Sequence, residues 1–426
     1  MAPTYWVGYS GGIDSSVLLT LCAAIRPSLF ESSIKAIHVH HGLHELADKW
    51  REHCSSYCRA LKVPLVIKEV KARHARGESP EETARNCRYE AFASIMKPGD
   101  VLLLAQHQDD QAETFLLQLF RGAGPRGLSA MPIRASFQQG HLLRPFLGVS
   151  RENIVNVAHT LGVPWVEDLS NQDTRFDRNL IRRDILPLIQ QRWPRAGSLI
   201  ARSAGHLAEA EQLLEEAIEE PYQRTLKGPC LDVERLKRWA PEMQRAIVRR
   251  WIRSLGFRLP STKMVERILS EGLNAAPDRN PVIAWPQGSI RRYRGLISLH
   301  PVHPSIPEMS SLAIPSTARL IPLEANGRLV LKETFREGIA LADWNAHTVM
   351  IHYRRGGERI KIKGRSGHHA LRKLFQEVGV PPWERNIMPL IFLDDKLAAV
   401  GDLWIEEAFS AELKNCNGIK IEHRKP

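Results

Sequence analysis

The sequence predicts an α/β protein: a doubly wound parallel sheet at the N-terminus, then a mostly helical middle domain and a small α+β C-terminal domain. Three observations carry this. Short apolar runs alternate with amphipathic helical patterns over roughly the first 120 residues, the order that builds parallel sheets. A glycine-rich turn joins the first apolar run to the first helical pattern. Near the C-terminus the pattern changes to short strands around one helix.

The runs YWVGY, SIKAIHVH, LVIKEV and DVLLLA are apolar nearly throughout, as expected of strands covered on both faces. Helices are predicted near 15–25, 45–61 and 80–95, with a fourth after Asp109. In such a sheet the ligand sits beyond the carboxyl ends of the strands. Ser79 as N-cap, Pro80 at the first helical position and Glu82 closing a capping box mark the third helix start. The helical pattern resumes from Ser150 to about Arg202, interrupted by the loop EDLSNQDTRFDRN, and a long helix follows over 203–220. The middle unit ends in one alternating strand, GSIRRYRGLISLH. The Pro- and Ser-rich stretch after it reads as linker, and a hairpin turns at Asp394-Asp395. The expected division is 1–205, 206–310, a linker at 311–340, and 341–426.

A chain of 426 residues suggests roughly three units at about 150 residues each. With 43% hydrophobic and 25% charged residues it is globular in composition. It has no apolar run of the ~18 residues a membrane span needs, and MAPTYWVGYSGG lacks a signal-peptide pattern, so a cytoplasmic protein is expected. The six cysteines include no C-x-x-C pair and are expected as buried thiols. A net charge of +12 points to a polyanionic partner, nucleic acid first.

Ser10, Gly11, Gly12, Ile13, Asp14 and Ser15 lie between the first strand and the first helix. Two glycines permit a tight turn and close ligand approach, and the helix behind presents unpaired amides to an anion. No lysine of the G-x-x-x-x-G-K-[ST] kind is present. Ser10, Ser15 and Ser16 add hydroxyl donors. After the fourth strand, Asp109, Asp110 and Glu113 fall at spacings that share one helix face. One such acid is explained by the helix dipole; three beside an anion pocket could hold Mg²⁺ or the ammonium groups of an amine substrate. His38, His40, His41 and His44 lack cysteine partners and are expected to shape the pocket.

The string SGGIDS matches S-G-G-x-D-S, and the chain thereby resembles the ATP pyrophosphatase superfamily, which cleaves ATP between its α- and β-phosphates. The series SGGIDSS, HVHHGL, ETARNCRYEAF, AQHQDDQAET, LFRGAGPRGLSAM, LLRPFL and EDLSNQDTRFDRNLIRRDILPLI resembles the tRNA(Ile)-lysidine synthetase family over about 5–195. The resemblance resumes at RRGGERIKIKGRSGHHALRKLFQEVGVPPWERNIMPLIF and is loose in the middle unit. It implies ATP-dependent joining of L-lysine to C2 of the wobble cytidine of a CAU-anticodon tRNA(Ile), through an adenylylated base. It also implies phosphate binding by Ser10–Ser15, with Asp14 a contact for Mg²⁺, and the lysine substrate near Asp110 and Glu113. Arg85 or Arg88 would meet ATP or the reacting base, and Arg121, Arg178, Asn179 and Arg182 the tRNA or the adenylate. Gln106 stands where relatives have His, and Ile13 fills the variable loop position. A 2-thiocytidine synthetase-like thiolase is the alternative within the class, and a nucleotide-sensing RNA-binding protein the alternative outside it. Oligomeric state is left open, a homodimer included.

Residues 354–373 carry eight basic side chains against Glu358 alone. Arg359, Lys361 and Lys363 alternate with Ile360 and Ile362, which on a strand puts the three on one face; Arg372 and Lys373 follow on the helix. Phosphate contacts to the body of the tRNA are the expected role, with a solvated edge strand the alternative.

Overall fold

The computed structural model describes residues 2–29, 32–40, 47–70, 80–167, 173–276, 279–301, 311–315, 317–323 and 326–424. The chain forms two compact units, Met1–Ala217 and Ile218–Pro426. His41, His44, Ser79, the side chain of Glu82 and part of the expected linker lie outside the described residues.

In the first unit the expected order appears: β1 (Thr4–Gly8), α1 (Ile13–Ile25), β2 (Ser33–His40), α2 (Ala47–Ala60), β3 (Leu65–Glu69), α3 (Pro80–Ala93), β4 (Val101–Leu103) and α4 (Gln108–Phe120). Then come α5 (Pro125–Leu128), β5 (Arg134–Phe137), β6 (Gly140–Leu143), α6 (Arg151–Thr160), α7 (Asp177–Leu180), α8 (Leu186–Arg192) and α9 (Ala196–Thr225). The sheet order is β3-β2-β1-β4-β6-β5, parallel except for β5. The order reverses between β1 and β4, which opens a crevice at their carboxyl ends. Alternate strand residues feed two cores: Val7, Ile34, Ala36 and Leu103 on one face, Trp6, Ile37 and Leu102 on the other. This double burial is why the runs are apolar at every position. A π-helical turn, Ile181–Ile185, joins α7 to α8.

The second unit begins within α9 and continues with β7 (Leu226–Lys227), β8 (Cys230–Asp232), α10 (Val233–Lys237), α11 (Pro241–Ser254) and α12 (Thr262–Asn274). It goes on to β9 (Val282–Trp285), β10 (Gly288–Tyr293) and β11 (Leu296–His300). Ile247, Val248, Trp251 and Ile252 of α11 and Val265, Ile268 and Leu269 of α12 form its core at helical spacing. The helices rest on an antiparallel sheet ordered β7-β8-β11-β10-β9. The segment expected as one strand is a hairpin, β10 to β11, turning at Arg294 and Gly295 with φ of +49° and +75°. Arginine is an uncommon first residue of such a turn, and so the sequence reading missed it.

The remainder comprises β12 (Leu312–Ile314), β13 (Leu320–Pro322), β14 (Arg328–Phe335), β15 (Ile339–Ala340), α13 (Leu341–Ala346), β16 (Val349–His352), β17 (Arg359–Ile360) and β18 (His369–Ala370). It ends with α14 (Leu371–Val378), α15 (Pro382–Arg385), β19 (Leu390–Leu393), β20 (Lys396–Val400), β21 (Trp404–Ile405), α16 (Ala411–Lys414) and β22 (Asn417–Arg424). Two antiparallel sheets, β12-β16-β19-β20-β21 and β13-β14-β22-β15, enclose one core around Trp344, Leu329 and Ile391. The hairpin at Asp394-Asp395 is present. Because β14 pairs with β22 over its whole length, residues 328–335 belong to the C-terminal sheets and not to a linker. Among the described residues no helix is long and apolar enough to cross a membrane.

Arg292 of β10 is 6% exposed, and its Nη1 donates to the carbonyls of Gly272, Leu273 and Ala275 at 3.0, 3.1 and 2.8 Å. It serves the last carbonyls of α12, which have no intrahelical donor. Arg292→Met should destabilise this unit by roughly 2 kcal/mol or more, since buried acceptors lose their donor. Calorimetry should show a lower melting transition; an unaltered melt would refute the capping role.

Candidate functional site

The crevice between β1 and β4 is built first from the loop after β1. Gly11 has φ +89°, and a Cβ there would lie 3.0 Å from Cys54 Sγ and 3.1 Å from Val166 Cγ2. Only glycine fits that turn. Its carbonyl accepts from the Val166 amide at 3.0 Å. Gly12 caps α1 with extended backbone and no side-chain bond, leaving the first amides, those of Ile13, Asp14 and Ser15, without intrahelical acceptors. Ser15 Oγ receives the Ser10 amide at 3.2 Å and lies 3.1 Å from Ser10 Oγ. Ser16, expected as a further donor to a ligand, is fully buried and gives its hydroxyl to the Gly11 carbonyl. Beneath the loop, His38 Nδ1 donates to the Tyr9 carbonyl at 2.9 Å, and burial lowers its pKa, so the ring is neutral.

The loop after β4 supplies the opposite wall. His107, 2% exposed, caps α4: its Nδ1 accepts the Asp110 amide at 3.4 Å while Asp110 Oδ2 accepts the His107 amide at 3.0 Å. With Nδ1 accepting, the ring N–H on Nε2 faces Asp110 Oδ2 at 3.4 Å and Asp14 Oδ2 at 3.8 Å. Sequence reasoning assigned His107 no role; its place immediately before three acids at a strand's carboxyl end was the available signal. Asp109 Oδ2 accepts the first amide of α6, that of Arg151, at 2.9 Å.

Asp110 and Glu113 share a face of α4 as predicted, and that face meets α7 and the π turn. Arg178 donates through Nε to Glu113 Oε2 at 2.9 Å and through Nη2 to Asp110 Oδ1 at 3.0 Å. Arg182 donates through Nη2 to Asp110 Oδ1 and to Glu113 Oε2, both at 2.9 Å, and its Nε reaches Glu113 Oε1. Glu113 is 1% exposed. Burial would raise the Asp110 carboxyl, but His107, Arg178 and Arg182 outweigh it and hold Asp110 below the usual carboxylate range. Asp14 behaves oppositely: burial raises it above that range, and His107 only partly compensates. One oxygen of Asp14, Oδ1, is buried with no hydrogen-bond partner.

The other predicted residues are placed unequally. Arg85 stacks 4.9 Å over the Tyr89 ring and donates to its hydroxyl at 3.3 Å. The charge of Arg88 acts on His38. Arg144, unforeseen and buried, donates to Gln106 Oε1 at 2.8 Å and to the Pro132 carbonyl at 2.7 Å, and burial lowers its pKa. The side-chain amide of Asn179 donates to the Asp173 carbonyl at 2.9 Å. Arg121 is exposed at the far end of α4, two turns beyond Glu113. In the second unit β17 is only two residues long, so the strand expected to carry Arg359, Lys361 and Lys363 on one face ends before the two lysines. Lys361 pairs with Glu407 at 3.0 Å and Lys363 with Glu412. Arg359 donates to the His368 carbonyl at 2.7 Å, and Arg372 and Lys373 are exposed on α14.

The arrangement pairs an anion-binding helix start with an acidic wall: a nucleotide-dependent enzyme's crevice in an α/β sheet. Family models match a PP-loop domain over residues 2–189, a TilS substrate binding domain over 231–297 and a TilS substrate C-terminal domain over 349–423. A tRNA(Ile)-lysidine synthase of Methylococcus capsulatus is 41% identical over 97% of this chain and 95% of its own. One of Alkalilimnicola ehrlichii is 40% identical over 96% of this chain and 92% of its own. The U34-tRNA thiolase NcsA from Methanococcus maripaludis, a solved structure with a [4Fe-4S] cluster, has 17% identity and a TM-score of 0.42 over 48% of this chain and 72% of that one. By the family model over residues 2–189, the first unit carries a PP-loop domain. The chain belongs to the tRNA(Ile)-lysidine synthase family.

Asp14 generates a pH prediction. Its folded pKa lies above the unfolded value, so between the two the unfolded state is the one that has lost the proton, and stability falls as pH rises through that window. Asp14→Asn should therefore raise the melting temperature of the ligand-free protein at pH 7, with the difference shrinking toward about pH 4, the ordinary carboxylate value. A variant that melts lower than wild type at pH 7 would contradict the assignment.

Proposed function

We propose that this chain joins L-lysine to C2 of the wobble cytidine in a CAU-anticodon tRNA(Ile), using ATP and releasing AMP and pyrophosphate. The observation that carries the reading is the juxtaposition, in one crevice, of the uncapped start of α1 and the acidic cluster of Asp14, Asp109, Asp110 and Glu113. The first suits a polyphosphate and the second a cation.

In the first step the cytidine O2 attacks the α-phosphorus and pyrophosphate leaves. The loop's role is to hold the phosphates through the amides of Ile13, Asp14 and Ser15, with Ser10 and Ser15 fixing the loop. In the second step the ε-nitrogen of lysine attacks C2, the C2–O bond breaks and AMP departs with the oxygen, which turns one hard substitution into two easier ones. Four carboxylates are gathered there with the guanidiniums of Arg178 and Arg182, and Arg151 and His107 also act on Asp14. So many carboxylates in one wall suit a lysine ammonium. Asp110 and Glu113 are already bonded to Arg178 and Arg182, so lysine would enter by sharing Asp110 or by exchanging with one guanidinium, which frees that arginine for phosphate. We assign the chain of Arg85, Tyr89, Arg144 and Gln106, with Arg88, to contacts with ATP or the reacting base.

Mg²⁺ fits Asp14, whose orphaned Oδ1 is a ready ligand, and among the described residues no group of three or more His, Cys, Asp or Glu could hold a metal without substrate. Binding through one carboxylate plus phosphate oxygens is this ion's habit, and when bound it would neutralise phosphate charge. The thiolase alternative is disfavoured by the thiols of Cys54 and Cys58, which burial pushes up to about 12. A cytoplasmic location and a homodimer are compatible with the reading. We assign nucleotide and amine chemistry to a domain at 1–205, substrate binding to 206–310 and tRNA-body binding to the C-terminal domain.

Labelled lysine should enter a tRNA(Ile) transcript with ATP and not a tRNA(Met) transcript bearing the same CAU anticodon. Asp14→Ala should abolish AMP formation without unfolding the protein. Absence of lysine incorporation by the wild type would sink the assignment.

In the C-terminal domain, Arg359, Arg372 and Lys373 are better placed for phosphate than Lys361 and Lys363, which hold acids. Alanine at each of the first three should weaken tRNA binding and lower the log–log salt slope by about one for each phosphate that is no longer bound. Alanine at Lys361 or Lys363 should do so less, and ATP affinity should not change. Equal effects at all five positions would show that the ion pairs do not matter.

A further inference from the structure

The crevice accounts for the acids and their arginines but not for a tryptophan beside it. Trp193 follows α8 and is 58% exposed. An indole left in water forgoes a large gain from burial, so such exposure calls for a partner. The guanidinium of Arg192 lies 5.7 Å from its ring centroid. Arg192 and Arg195 are exposed, and neither is paired with an acid among the described residues. The Ala196 amide donates to the Trp193 carbonyl at 2.9 Å, and a Cβ on Gly197 would stand 3.2 Å from Asp109 Oδ1. The start of α9 is thus seated against the acid next to His107, and Trp193 stands about one helical turn of chain from that seat.

We infer that Trp193, backed by Arg192, is a stacking platform for the unpaired base next to the reacting one, which in a CAU anticodon is the adenine following the cytidine. The inference rests on the reaction proposed above. A base taken into an active site leaves its neighbour without a stacking partner, and an aromatic ring or a guanidinium plane replaces that partner. Arg195 supplies charge for the phosphate between the two nucleotides. The excess of positive charge on the chain and two arginines without acids favour a polyanion here over a protein.

The test uses the full chain and a tRNA(Ile) transcript with 2-aminopurine in place of the anticodon adenine. Binding should quench its fluorescence in the wild type and in Trp193→Phe, and not in Trp193→Ala. Trp193→Ala should weaken tRNA binding roughly 10- to 100-fold, the range that base–aromatic stacking supplies, with the salt slope and ATP affinity unchanged. Arg195→Ala should instead lower the salt slope by about one. Equal quenching and equal affinity in Trp193→Ala would overturn the platform, as would a weakened affinity that tracks a changed sedimentation coefficient, which would mark Trp193 as a contact between two copies of the chain. If the wild type transfers no lysine while the quench follows the stated pattern, the proposed reaction fails and the platform stands.

Discussion

Glu113 is a carboxylate with almost no access to water, and a buried charge is tolerated only where cations and donors replace its hydration. Arg178 and Arg182 do this from a segment more than sixty residues further along the chain. Meeting that need fixes much else. Both arginines must reach α4 together, and they flank the start of the π turn, where a widened helix often marks a functional place. With α4 so clamped, its N-terminus is held by His107, and Asp110 becomes both a cap and a member of the cluster. Asp109 is left to hold the first amide of α6. The acidic wall is therefore a set of mutual constraints.

The parallel sheet was legible because strands buried on both faces cannot hide polar positions, and the loop after β1 because its glycines answer a steric demand at Gly11. Pairs such as Asp110 and Glu113 were legible because helix geometry is local. Their partners were not. Nothing local says that an arginine at 178 will bond an acid at 113 rather than an RNA phosphate, since that depends on which helix packs where. The same limit hid Arg144, which looks like any arginine after a strand yet is buried against Gln106. The hairpin at Arg294-Gly295 failed for a different reason: its turn residues are atypical, so two strands merged into one apparent run.

The basic C-terminal stretch shows how a charge tally along the chain departs from one in space. Over 354–373 only Glu358 opposes the basic residues in sequence, but folding brings Glu377, Glu407 and Glu412 to Arg365, Lys361 and Lys363. Such exposed pairs add little stability, on the order of 0–1 kcal/mol each. Their larger effect is to remove three cations from the pool available to phosphate. What remains outward is Arg355, Arg359, Arg372 and Lys373, a smaller and more localised patch than alternation of the sequence implied.

Charge also constrains the order of events on the proposed reaction. A triphosphate approaching the start of α1 meets an attractive helix end but also the carboxylates of Asp14 and Asp110, and these oppose it. Any cation that occupies the acidic wall removes that opposition, whether a metal on Asp14 or a lysine ammonium on Asp110. By linkage the cation must then bind more tightly when the phosphates are present, by the same factor. The raised pKa of Asp14 comes first from burial, with the Asp110 charge adding to it, and a cation bound there would offset both. On the proposed reaction, a chain with a large positive surplus uses this acidic crevice to hold two substrates of opposite charge side by side.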